Sequence, residues 1–120
     1  DDPTHIGLDS LKVQLESTMK FLDKGKYSIL LAHRPELVDI YAEYGFDLVT
    51  AGHAHGGQWR LPFFLEDGLY APDQGFFPKY TGGTHQKKET LMIVSRGLAK
   101  ESTRLPRLFN RPEIVFINIL

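Results

Sequence analysis

The residues with the clearest chemical capacity are the histidines of Ala51-Gly52-His53-Ala54-His55-Gly56-Gly57-Gln58. Two imidazoles stand one residue apart, bracketed by glycines. Neutral imidazole is the commonest side-chain metal ligand. The glycines permit backbone angles that other residues resist and let a ligand or second metal approach closely. A third histidine, His33, closes an earlier apolar run, Tyr27 to Ala32. His33, His53 and His55 therefore all fall where hydrophobic runs end, the place where active-site loops of α/β proteins lie. On extended backbone, His-x-His aims two rings the same way. On a turning loop it splits them between two metals. A divalent metal would need these imidazoles at about 2.0–2.1 Å, each with its other ring nitrogen held by an acceptor. The glycines also admit a phosphate cradle of backbone N–H groups, although neither Gly-x-x-x-x-Gly-Lys nor Gly-x-Gly-x-x-Gly occurs.

Other conspicuous side chains carry two readings each. Arg96 follows an apolar run and suits either bidentate recognition of a substrate phosphate or anchoring of a loop to a carboxylate. Arg34 and Arg60 flank the histidine blocks with the same two options. Trp59, Phe63 and Phe64 suit a substrate groove or a loop anchor. His5 and His85 lack ligand-like context and read as surface residues.

The elements that must position these groups follow from periodicity. Leu8, Leu11, Leu15, Met19 and Leu22 recur at three- and four-residue steps and predict one helix, with Asp9 or Ser10 as its cap and Gly25 as its stop. Tyr27 to Ala32 reads as a buried strand. Pro35 suits the first turn of a helix whose buried face is Leu37, Ile40, Tyr41 and Tyr44, ended by Gly45. Phe46 to Ala51 is a second strand. Strand–helix–strand order predicts a parallel βαβ unit, which sets His33, His53 and His55 at one carboxyl edge. Residues 59–88, rich in aromatics, prolines and glycines, read as an ordered long loop with one short hairpin. Gln86-Lys87-Lys88 reads as a solvated turn. Thr90 to Val94 is a further strand, ending at Ser95-Arg96-Gly97. Leu98 to Arg111 connects it to Glu113–Leu120, an apolar, β-branched run expected to be a strand buried on both faces.

Composition narrows the classes. Of the 120 residues, 42% are hydrophobic and 24% charged, an ordinary globular balance for one small domain or part of a larger one. A net charge of -1 argues against a nucleic-acid partner. There is no cysteine, so any metal must rely on nitrogen and oxygen ligands. No apolar run approaches the roughly 20 residues that span a bilayer. The composition suits a cytoplasmic protein, or one held at a membrane by a segment outside this chain.

The segments Ile29-Leu30-Leu31-Ala32-His33-Arg34-Pro35 and Ala51-Gly52-His53-Ala54-His55-Gly56-Gly57-Gln58 resemble the last two metal-binding blocks of the calcineurin-like metallophosphoesterases. Arg60-Leu61-Pro62-Phe63, Lys79-Tyr80, Ser95-Arg96-Gly97-Leu98 and Asn110-Arg111-Pro112-Glu113 are similar to motifs of a bacterial phosphohydrolase subgroup. Some members of that subgroup are membrane-anchored and act on envelope lipids or the cell wall. The resemblance covers residues 1–120. It implies that His33 and His53 bind one divalent metal ion and His55 another, together forming the catalytic centre. Apart from the resemblance, Arg96, Arg34 and Arg60 are the candidates for binding the substrate, a phosphate-ester small molecule or envelope lipid, with carboxylate anchoring as their equal alternative. The ligand types allow Mn, Fe, Zn, Co or Ni. A water or hydroxide between the two metals would attack phosphorus in an in-line displacement.

The sequence departs from that family in one large respect. The earlier blocks, Asp-x-His, Gly-Asp and Gly-Asn-His, are absent. Asp47 lies inside an expected strand. Asp67 and Asp73 sit in the aromatic loop without motif context. Asn110 and Asn118 are distant in sequence from the histidines. The expectation is therefore the C-terminal half of a metallophosphoesterase-type α/β sandwich, inactive alone and completed by an N-terminal half. The alternative is a non-catalytic module that binds metal or phosphate. Its exposed strand edges would favour self-association, possible as a homo-oligomer.

Overall fold

The computed structural model describes residues 3–61, 63–98 and 107–120. The apolar spacing near the N-terminus produces a helix, α1 (Pro3–Met19), which begins and ends earlier than its periodicity suggests. Proline suits a first helical turn, so Asp9 and Ser10 lie inside α1 and do not cap it. Gly25 is not the helix stop either. Its N–H donates to Asp23 Oδ1 at 3.1 Å, within a separate turn. Leu11, Leu15, Met19 and Leu22 nonetheless face the core as their spacing requires.

The βαβ expectation holds. β1 (Ile29–Leu31) is followed by a 3-10 turn at Pro35–Leu37, then α2 (Val38–Glu43), then β2 (Leu48–Ala51). Val38, Tyr41 and Ala42 are buried, and Gly45, at φ 74°, ends the helical stretch. β1 and β2 run parallel, with Leu30 opposite Val49. The Ser28 N–H and hydroxyl both donate to Asp47 Oδ2, at 2.7 and 2.8 Å, and tie the starts of the two strands together. These hydrogen bonds hold the Asp47 carboxyl below its ordinary pKa.

Residues 59–88 contain more regular structure than a loop with one hairpin. The expected short hairpin is β3 (Tyr70–Ala71) with β4 (Gly75–Phe76). A further strand, β5 (Gly83–Lys87), pairs antiparallel with β6 (Thr90–Val94) across a turn at Lys88-Glu89. Its polar sequence, Gly-Thr-His-Gln-Lys, hides it from any search for apolar runs. The sheet order is β1-β2-β6-β5, with β2 and β6 parallel. Strand alternation sends Leu30, Val49, Ala51, Met92 and Val94 to one face. There they pack with Leu15, Val38, Tyr41 and Phe46.

Two expectations fail. β1 is not a buried strand: it lies at the sheet edge, with Ile29 46% and Leu31 81% exposed. Residues 113–120 pair with no strand among the described residues, and Ile114, Phe116 and Ile119 are exposed. An apolar run records a preference for burial, but a strand also needs a neighbour to complete its hydrogen bonds. Part of the connecting segment Leu98–Arg111, residues 99–106, lies outside the described residues, as do Pro62 and the side chain of His5. No helix among the described residues is long and apolar enough to cross a membrane.

Candidate functional site

The parallel βαβ unit delivers the three histidines to one place. His33 follows β1, while His53 and His55 follow β2. The His33 and His53 ring centroids are 4.4 Å apart, tilted by 53°. Those of His53 and His55 are 6.4 Å apart. His33 is exposed and the other two are half-buried.

The backbone beneath them is unusual. His53 (φ 68°), His55 (φ 47°), Gly56 (φ 67°), Gly57 (φ 73°) and Gln58 (φ 56°) all occupy the left-handed region. For the three non-glycine residues this costs on the order of 1–3 kcal/mol each, and it persists only where the surroundings enforce it. The enforcement is visible. The Asn110 side-chain amide donates to the carbonyls of His55 (2.6 Å) and Gln58 (3.2 Å). The Leu108 N–H donates to Gln58 O, and the Arg60 N–H returns to Leu108 O. A Cβ at Gly56 would collide with Asn110, and one at Gly57 with the backbone of Asp67 and Gly68. Gly56 and Gly57 thus serve close approach of other chain segments, a simpler role than a phosphate cradle.

Electrostatics favour uncharged imidazole at His55. Burial lowers its pKa first, and the positive charge of Arg107 together with His53 and His33 lowers it further. Arg107 stands beside His55, with its guanidinium 3.4 Å from Nδ1, and donates to the carbonyls of Arg96 and Gly97. Metal ligation requires the neutral form.

The three arginines singled out by sequence behave differently from one another. The Arg34 Nε donates to Glu36 at 2.6 Å. Arg96 donates to Glu113 through both its guanidinium (3.0 Å) and its backbone N–H (3.1 Å). That contact is the loop-to-carboxylate anchor its position allowed. Arg60 has no ion-pair partner among the described residues. Its pKa is lowered by burial and by the nearby charge of Arg96. His85, expected on the surface, is half-buried, with its ring edge-on to Tyr80 and Nε2 3.0 Å from Gly82 O.

Four residues at this site escape a reading by sequence neighbourhood. Asn110 is set aside by its distance from the histidines along the chain, yet it lies against them. Arg107 and Glu113 arrive with the same returning segment, and the quoted Asn110-Arg111-Pro112-Glu113 motif was the signal for it. Asp73, set aside for want of a motif, places Oδ2 2.8 Å from His53 Nε2.

The chain is 37% identical over 105 residues to YkuE, an uncharacterised metallophosphoesterase of Bacillus subtilis, covering 87% of this chain and 35% of that protein. This chain belongs to the metallophosphoesterases. It is similar also to the phosphodiesterase YaeI of Escherichia coli, 30% identical over 77% of this chain and 32% of that protein. Another relative is the UDP-2,3-diacylglucosamine pyrophosphatase LpxG of Chlamydia muridarum, 30% identical over 77% of this chain and 29% of that protein. The chain spans about 24–42% of the length of the metallophosphoesterases it matches and is a C-terminal portion of such a protein. No family model and no solved structure matches it.

Among the described residues, no group of three or more His, Cys, Asp or Glu side chains is arranged to hold a metal ion. The imidazoles fit such a centre in donor chemistry, in convergence and, at His55, in favouring the neutral form. They fall short in number.

Proposed function

We propose that residues 1–120 are the C-terminal region of a phosphoesterase domain whose parent hydrolyses a phosphomonoester or phosphodiester with divalent metal ions. The observation that carries this reading is the convergence of His33, His53 and His55 at one sheet edge, with His53 and His55 on strained, enforced backbone. His33, His53 and His55 would hold metal, and the remaining ligands, including a carboxylate shared between two metals, would come from outside this chain. The metal ions would supply Lewis-acid activation of water and neutralise charge at phosphorus.

This chain's own residues would orient and neutralise. Arg60 is the arginine best suited to a substrate phosphate, because Arg34 and Arg96 already serve Glu36 and Glu113. Arg107 and Asn110 hold the His55 segment in place. Relatives named as a phosphodiesterase and as a pyrophosphatase of a lipid precursor support a small-molecule or lipid phosphate ester as substrate. Alone, the chain is expected to be inactive for want of ligands.

The test uses the full-length parent. His53→Ala is expected to lower metal-dependent hydrolysis of bis(p-nitrophenyl) phosphate by at least about 100-fold, the scale of losing a directly acting catalytic element. Unchanged turnover overturns the assignment.

A second reading rests on the open edge of β1. Its outer backbone edge, without a strand partner among the described residues, and the exposed Ile29 and Leu31 favour association of the isolated chain with a second copy.

A further inference from the structure

We propose that Asp73 is the positioning residue of His53: its carboxylate accepts the Nε2 proton and fixes the orientation and tautomer of that imidazole. The inference rests on the metallophosphoesterase reading above and adds to it a residue from outside the histidine blocks.

The contact is a hydrogen bond of 2.8 Å between His53 Nε2 and Asp73 Oδ2, joining residues 20 apart in the chain. A carboxylate only accepts, so the shared proton belongs to Nε2. Nδ1 of the neutral ring then keeps the free lone pair. Metal-ligating histidines commonly hold their second nitrogen in this way.

The turn that carries Asp73 is built for the purpose. The Gln74 N–H donates to Ala71 O at 3.3 Å, closing a four-residue turn with Pro72 second and Asp73 third. Asp73 has φ 60°. Proline second and a positive φ third is the pattern of a type II turn, whose third position ordinarily takes glycine or asparagine. Glycine would make the turn without strain. What aspartate adds is a carboxylate, and that carboxylate meets His53.

The turn is also rigidly mounted. The Gln74 side chain donates to Tyr80 O and accepts from Tyr80 N, both at 2.8 Å. Tyr80 belongs to the hydrophobic core, and Ala71 is fully buried. Asp73 thus hangs from a clamped hairpin tip, not a free loop. The groups facing it are the His53 imidazole and the Arg34 guanidinium, which is itself engaged by Glu36.

The experiment takes the metal-free full-length parent, labelled with ¹⁵N-histidine, and reads the His53 ring nitrogens by long-range ¹H–¹⁵N correlation. The wild type is expected to show a single Nε2–H tautomer. Asp73→Ala is expected to show averaged tautomers and to lower Mn²⁺ affinity, measured with Mn²⁺ alone by calorimetry, by about 10- to 100-fold. Asp73→Asn keeps an acceptor oxygen and is expected to retain the tautomer with a smaller loss of affinity, which separates positioning from charge. Averaged tautomers in the wild type, or wild-type tautomer and affinity in Asp73→Ala, overturn the proposal. Should Asp73→Ala not fold, Asp73→Asn and Asp73→Gly, the latter natural to the turn, carry the same readout. The functional reading fails separately, through unchanged turnover of His53→Ala.

Discussion

At the residue scale, left-handed glycines of this chain serve two distinct needs, and a pair of substitutions separates them. Gly45 and Gly57 have nearly the same backbone, φ 74° and 73°. A Cβ on Gly45 meets nothing within 4 Å, whereas one on Gly57 runs into the backbone of Asp67 and Gly68. Gly45→Ala should cost about 1–2 kcal/mol, the left-handed penalty alone. Gly57→Ala carries that penalty and a steric one that no rotamer change relieves, so it should cost more by a further 1 kcal/mol or roughly so. Urea denaturation of both variants measures the difference. Equal losses would mean that the contact between residues 57 and 67–68 does not hold the histidine segment.

At the element scale, the segment after residue 106 acts as a strap across the histidine loop. Asn110 holds its carbonyls, Arg107 flanks His55, and Glu113 takes Arg96 from the end of β6. The Arg96 hydrogen bond is the main cause that pulls the Glu113 carboxyl below its ordinary pKa. A carboxylate whose folded pKa is depressed stabilises the fold above its unfolded pKa, about 4.3 for Glu. That stability is lost as pH falls through the folded value. Both side chains are partly exposed, so the pair is worth on the order of 0.2–1 kcal/mol. Glu113→Gln should therefore melt below wild type at pH 7, and the gap should narrow as pH falls below the ordinary Glu range and through the lowered folded value. A gap that does not change with falling pH would assign the strap to packing and not to this ion pair.

The strap also shows what sequence can reveal. His33, His53 and His55 were legible because each sits directly after a strand, so the order of local elements alone brings them together. Asp73, Arg107 and Asn110 reach the histidines across 20, 52 and 55 residues. No local pattern encodes a contact of that span. β5 escaped because its side chains are polar and its place is set by pairing with β6. For β1 and residues 113–120 the reading failed in the opposite direction, since their apolar side chains ask for cover that the described residues do not provide.

At the scale of the whole molecule, that unmet demand makes a prediction. The sheet closes on one side with polar β5, whose Thr84, Gln86 and terminal Lys87 suit an edge. The other side ends on β1, which carries Ile29-Leu30-Leu31 and no charge. Natural edges are ordinarily blunted by charge, proline or cover. In a longer parent of the kind its relatives represent, the β1 edge and its exposed leucine are natural places for the rest of the domain to dock. In the isolated chain they are free to take a second copy. The 120-residue chain should accordingly rise in mean mass with concentration by light scattering. Leu31→Lys places a charge on this edge strand at a residue already 81% exposed, so it should return the chain to monomer while changing stability by no more than about 0.5 kcal/mol. A wild-type chain that stays monomeric at every concentration would remove the self-association reading. A Leu31→Lys chain that still associates would move the contact away from β1, to the exposed Ile114, Phe116 and Ile119 of the final segment, where Phe116→Lys is the matching test.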